Sequence, residues 1–121
     1  MTDQAPGTRP IRDEAAVNQL FEAITDEDSR TILRETRSEA LTAKELSKRC
    51  DVATSTAYRK LEQLVDIGLL DEQIRFTSTT RHAREYTHDI DSIELDVTAT
   101  GLSVVISEAG AEQTDQPLSA D

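Results

Sequence analysis

Residues 42–70 read TAKELSKRCDVATSTAYRKLEQLVDIGLL, and this stretch decides the fold. Thr42 followed three residues later by Glu45 is a capping box. Each side chain satisfies an orphan N–H at a helix start, an arrangement worth about 1 kcal/mol. Ala43, Leu46 and Cys50 mark the inward face of a short helix. Cys50-Asp51-Val52-Ala53 is a tight turn, and Thr54 stands where it can cap the next helix. There Ala57, Leu61, Leu64 and Val65 recur at helical spacing as a buried stripe, while Ser55, Thr56, Arg59, Lys60 and Gln63 occupy the other face. Gly68 supplies a left-handed stop. A capped helix, a turn and a two-faced second helix outline a helix-turn-helix, a device that lays its second helix in the major groove of DNA.

Upstream, residues 1–12 (MTDQAPGTRPIR) hold two prolines and a glycine and read as a flexible arm. Ala16, Val17, Leu20, Phe21 and Ile24 form one apolar stripe on a helix over Asp13–Ile24. The acids Asp26, Glu27 and Asp28 suit the positive end of a second helix, roughly Ser29 to Thr36, which buries Ile32 and Leu33.

Downstream the period changes to two. Leu69–Thr77 and Ala83–Ile90 are expected strands joined by the polar tip Ser78-Thr79-Thr80-Arg81-His82, a β-wing. A second hairpin follows, with pairs 93/106, 95/104 and 97/102 around the loop Thr98-Ala99-Thr100-Gly101. That register puts Ile93, Leu95, Val97, Leu102, Val104 and Ile106 on one face. The expected fold is α+β: a winged helix-turn-helix of three to four helices and a β-wing, with an additional C-terminal β-hairpin. Its organisation reads as an arm at 1–12, the winged domain at 13–90, the hairpin at 91–107 and a disordered acidic tail at 108–121.

The formal charge of -11 is unevenly spread. Thr42 to Arg84 holds eight basic residues against six acidic, the remainder five against eighteen, and no Lys or Arg follows Arg84. Positive potential is therefore confined to the helix-turn-helix and the wing. Lysine is scarce, three against ten arginines. Acid-rich, lysine-poor chains suit a high-salt cytoplasm, where self-repulsion is screened within roughly 3 Å at 1 M salt. A halophilic source is expected on these grounds, with an ordinary acidic protein as the alternative. There is no leader pattern and no apolar run near the ~18 residues of a membrane span, so a cytoplasmic location without membrane contact is expected.

A groove-reading helix needs short polar side chains at its N-terminus and long cations one turn later. Thr54, Ser55, Thr56, Arg59 and Lys60 meet that need, with Tyr58 able to hydrogen-bond a phosphate. Lys44 and Lys48 suit phosphate positioning from the preceding helix. In the wing, Arg75, Thr79, Thr80, Arg81, His82 and Arg84 could reach backbone or minor groove. Each set has a bland alternative as an ordinary solvated surface. Cys50, His82 and His88 are scattered over different elements, so no zinc or other cofactor is expected. No catalytic constellation is visible, and the chain reads as a non-enzyme.

Arg30-x-Ile32-Leu33, Thr42-x-x-Glu45-Leu46, Ser55-Thr56-Ala57-Tyr58-Arg59-x-Leu61-x-x-Leu64 and Gly68-Leu69-Leu70 resemble the winged helix-turn-helix regulators of the ArsR-like class. More narrowly, the chain is similar to the small acidic regulators of halophilic archaea, over about residues 14–90. The resemblance implies a transcription regulator of double-stranded DNA, with Ser55, Thr56, Tyr58, Arg59 and Lys60 on a recognition helix over 54–67. It also implies a homodimer formed through the first helix and C-terminal elements. Val17, Leu20, Phe21, Ile24, Leu95 and Val104 are the expected dimer contacts, the alternative being burial within one subunit. Two departures stand out. Ala53 replaces a capping serine, and the cysteine motif of metal-sensing members is absent. The competing readings are a protein-interaction module that does not bind DNA, and a redox- or ligand-responsive sensor using Cys50 with Arg49 lowering its pKa. Any small-molecule effector is unknown.

Overall fold

The computed structural model describes residues 7–37, 39–76 and 82–109, with His82 described by its backbone alone. The order of elements is β1 (Thr8–Ile11), α1 (Glu14–Ile24), α2 (Glu27–Thr36), β2 (Leu41–Thr42), α3 (Ala43–Cys50), α4 (Thr54–Asp66), β3 (Asp71–Phe76), β4 (His82–Thr87), β5 (Ile90–Thr98) and β6 (Gly101–Glu108). The fold is α+β, a winged helix-turn-helix with an added C-terminal hairpin. The chain divides into two compact units, Gln19–His88 and the pair of segments Met1–Asn18 and Asp89–Asp121.

In the unit Gln19–His88 five helix boundaries have an identifiable cause. Asp26 caps α2, its Oδ2 accepting from the Ser29 amide and hydroxyl, each at 2.9 Å. The far end of α2 is closed by the end of β4, where the Thr87 hydroxyl and the His88 amide both donate to Thr36 O at 3.0 and 3.3 Å. Thr42 and Glu45 make the full capping box at the start of α3. Asp51 ends that helix in the left-handed region at φ 57°, which a short polar side chain tolerates. At the end of α4, Gly68 takes φ 84°, and its amide donates to Val65 O while the Leu69 amide reaches back to Leu64 O. These two bonds are a Schellman stop. Leu20, Ile32, Leu41, Leu46, Leu61, Leu64 and Leu69 are fully buried. Each such side chain contributes about 1.5–3 kcal/mol through removal from water.

The wing is a three-stranded antiparallel sheet of order β2-β4-β3, with Gln73 opposite Glu85 and Thr42 opposite Glu85 from the other side. The two-residue strand β2 is not evident from the sequence pattern; it is too short to show alternation. Thr54 does not cap α4. Ala53 takes the cap position without a side-chain bond, and the Thr54 hydroxyl donates to Ser47 Oγ at 3.3 Å instead.

The other unit carries the sheet β1-β6-β5. The pairs 93/106, 95/104 and 97/102 are those expected from alternation. Thr98 pairs with Gly101, so the connection is the two-residue turn Ala99-Thr100 and the four-residue loop is corrected. The flexible arm is also corrected in part, because Thr8–Ile11 pairs with Val104–Ser107 of β6. Pro10 lies in this strand, which is tolerated because β1 is an edge and a missing N–H breaks no second ladder. Residues 1–6 and the tail beyond Ala109 lie outside the described residues, whereas Glu108, expected in the tail, ends β6.

Candidate nucleic-acid interface

α4 presents its N-terminal half outward. Thr54, Ser55 and Arg59 are exposed, Thr56 is half-buried, and Tyr58 is 53% exposed, whereas Ala57 and Leu61 are fully buried. The first turn has no acidic residue, and no side chain caps it. The first amides of a helix have no intrahelical partners, so this end of α4 offers N–H donors and a positive dipole to an anion. The turn before it is held rigidly. Ser47 Oγ donates to Val52 O at 2.6 Å, and the Val52 and Asp51 amides donate to Ser47 O.

The fold then sorts the basic residues expected at DNA by what they already touch. Lys44, Lys48 and Arg59 are exposed and make no ion pair among the described residues. Lys60 is different. Its Nζ lies 2.8 Å from Asp26 Oδ2 and its side chain is 12% exposed. One residue beyond Arg59 turns about 100° around the helix, which carries Lys60 to the start of α2. The Lys60 ammonium, with the Ser29 donors, holds the Asp26 carboxyl below its usual range. Lys60 is thus a tether of α4 to α2, already ion-paired at the position where the sequence suggests a groove contact. Beside that tether lies a polar cavity of about 330 Å³ lined by Glu22, Asp26, Arg59, Lys60, Gln63 and Asp66, among others.

Arg75 is also committed inside the unit. Its Nε donates to Glu85 Oε1 at 2.7 Å, Nη1 to Glu45 Oε2 at 3.1 Å, and Nη2 to Glu45 Oε1 at 3.1 Å and Ala40 O at 3.2 Å. The guanidinium and the Thr42 amide hold the Glu45 carboxyl down to about 2. Glu85 is held low by Gln73 and then by Arg75. Four of its five N–H groups are thus engaged within the unit, which sets Arg75 apart from the exposed cations Lys44, Lys48 and Arg59. Arg84 pairs with Glu72 at 3.3 Å but stays exposed. Exposed pairs are worth ~0–1 kcal/mol, which leaves Arg84 available. Thr79, Thr80, Arg81 and the His82 side chain lie outside the described residues.

The sensor reading of Cys50 meets the opposite electrostatics. Burial raises the thiol pKa, and Glu35 and Asp28 add to the rise. Arg49 lowers it as expected but is outweighed, and its Nη1 lies 3.3 Å from Glu35 Oε1 and 3.1 Å from Glu39 Oε1. A thiol disfavoured as thiolate is a poor redox nucleophile.

Of the expected dimer contacts, Val17, Leu20 and Val104 are buried within the chain and are not available to a partner. Phe21 and Ile24 are half-buried. Leu95 is exposed, as are Leu102 and Val97, the last at 81%. The apolar face of β5–β6 is therefore covered at Val104 and Ile106 and open towards the turn.

Residues 24–73 match the family model described as a helix-turn-helix domain, a span that runs from the end of α1 into β3. Among solved structures, HlyU from Vibrio cholerae N16961 is 25% identical, over 63% of this chain and 77% of that one, with a TM-score of 0.48. No curated protein matches the chain. Among the described residues no helix is long and apolar enough to cross a membrane.

Proposed function

We propose that this chain is a sequence-specific, double-stranded-DNA-binding transcription regulator that places α4 in the major groove. The observation that carries the reading is the first half of α4. It is uncapped and free of acids, exposes Ser55, Thr56 and Tyr58 in part or fully, and bears the unpaired Arg59. Lys44 and Lys48 on α3 serve as phosphate contacts, and Arg84 on β4 adds a further cation. Such a protein works where the chromosome is, in the cytoplasm of an archaeal halophile, to which its charge of -11 is suited.

It acts as a homodimer, since the exposed strip Leu95, Val97 and Leu102 is the kind of surface that protein contacts cover. A two-fold dimer then reads half-sites about 34 Å apart. Four of the seven described basic side chains from Lys44 to Arg84 pair with the chain's own acids, Arg84 only loosely. Counterion release should therefore be modest. Lys44, Lys48 and Arg59, which carry no described ion pair, give a slope of log K against log salt of about -3 per protomer, and Arg84 adds up to about one more. The test is enrichment of duplexes from a random library, followed by mobility shift of the selected duplex across a salt series. Selection of a sequence with that shallow slope supports the reading; recovery of no duplex at any salt defeats it.

A further inference from the structure

We propose that Arg75 is a positioning residue for DNA recognition, fixing the β-wing against the start of α3 without itself touching nucleic acid. This rests on the DNA-binding reading above. The guanidinium has five N–H donors, and four bonds engage it with groups from three places in the chain: Glu45 on α3, Glu85 on β4, and the carbonyl of Ala40 just before β2. Glu45 receives two of these bonds side by side, the planar pairing that guanidinium makes and ammonium cannot. The same Glu45 carboxylate accepts the Thr42 amide at 2.9 Å, so the α3 cap and the wing strut share one group.

Two consequences follow. First, one cation faces two carboxylates here, so the junction as a whole is negative and does not attract a phosphate. Second, α3 and α4 meet at a turn locked by Ser47, so anchoring β3 to the start of α3 sets where the wing lies once α4 is in the groove. Wing placement is then a shape restraint. Losing it lowers affinity for the selected sequence without changing the number of phosphates neutralised.

Arg75→Lys and Glu85→Gln separate this role from a charge contact. Arg75→Lys keeps the charge but loses the fork. Glu85→Gln removes a negative charge near the DNA face yet breaks the strut. Binding is measured to the duplex that the wild type selects from a random library, across a salt series, together with amide exchange in β3 and β4 of the free protein. Positioning predicts that both variants bind about tenfold more weakly with an unchanged salt slope and that wing amides exchange faster. Near-wild-type binding by Arg75→Lys, tighter binding by Glu85→Gln, or a slope reduced by about one in Arg75→Gln would overturn it. Unfolding midpoints measured alongside distinguish a loosened wing from a lost fold; if Arg75→Gln does not fold, the other two variants decide. If the wild type selects no duplex, the DNA-binding reading fails by itself. Amide exchange then still tests the strut, and unchanged wing protection in Arg75→Lys would remove it.

Discussion

The two hairpins, β3–β4 and β5–β6, have similar backbones and opposite means of support. The wing β3–β4 exposes Ile74 and Phe76, buries Tyr86, and is tied by the Arg75 network and the Gln73–Glu85 bond of 2.6 Å. The C-terminal hairpin buries Val104 and Ile106 completely, and the described polar bonds at its turn involve only the Thr98 hydroxyl with Gly101 and Thr100. The wing leans more on directional polar bonds; the C-terminal hairpin leans more on burial, with the Arg9–Glu108 pair of 3.2 Å at its far end. Directional bonds fix an orientation, whereas burial mainly supplies stability. The difference suits a wing that must be aimed and a hairpin that must endure.

The largest effect that separates them is a cavity. Ile106→Ala should destabilise the protein by about 2–5 kcal/mol, because its side chain is fully buried and its neighbours collapse only in part. Ile74→Ala, at an exposed wing position, should stay within about 0.5 kcal/mol. Urea unfolding measures both, and equal losses at the two positions would break the contrast.

A smaller effect sharpens the sorting of cations on α4. Arg59→Ala should weaken binding to the selected duplex by about 1–3 kcal/mol if it reads a base pair. Lys60→Ala should leave DNA affinity nearly unchanged while lowering stability through the lost Asp26 tether. Titration of duplex into each variant decides the matter; a larger binding loss at Lys60 than at Arg59 would reverse the assignment.

The sequence displayed what depends on spacing along one element. The α3 capping box, the Gly68 stop, the apolar stripe of α4 and the register of β5–β6 all follow from periodicity or local capping chemistry. It hid what depends on which element a side chain meets. Lys60 and Arg59 look alike as neighbours in a string, and only the approach of Asp26 separates them. Arg75 looked like a free wing cation because no register was assigned to β3–β4. A register with Gln73 opposite Glu85 places Arg75 diagonal to Glu85, which would have flagged the pair. The link to Glu45 needs the short β2, which brings Thr42 beside Glu85. β1 was hidden for another reason. Four residues containing a proline carry no strand signal, and the partner strand lies almost at the other end of the described chain.

The smallest effect concerns acid, and it should mark the wing rather than the C-terminal hairpin. Glu45 titrates at about 2 in the folded protein against an ordinary 4.5, because Arg75 and the Thr42 amide favour its charged form. Between those values the unfolded chain binds the proton that the folded chain refuses, so folding stability rises with pH there. The contribution is therefore fully present above about 4.5 and is lost as pH falls towards 2. Glu85 is shifted in the same direction, by Gln73 and Arg75, and adds to the trend. The carboxylate of Glu45 remains partly in water, so solvent screening keeps the effect small. Carbon-detected NMR titration of the Glu45 carboxyl, with amide exchange of β3 and β4 at each pH, reads it directly. Glu45→Gln should flatten the acid limb of wing protection relative to the wild type while leaving that of β5 and β6 unaltered. An acid limb of the same size in the variant would show that the wing is held by something other than this junction.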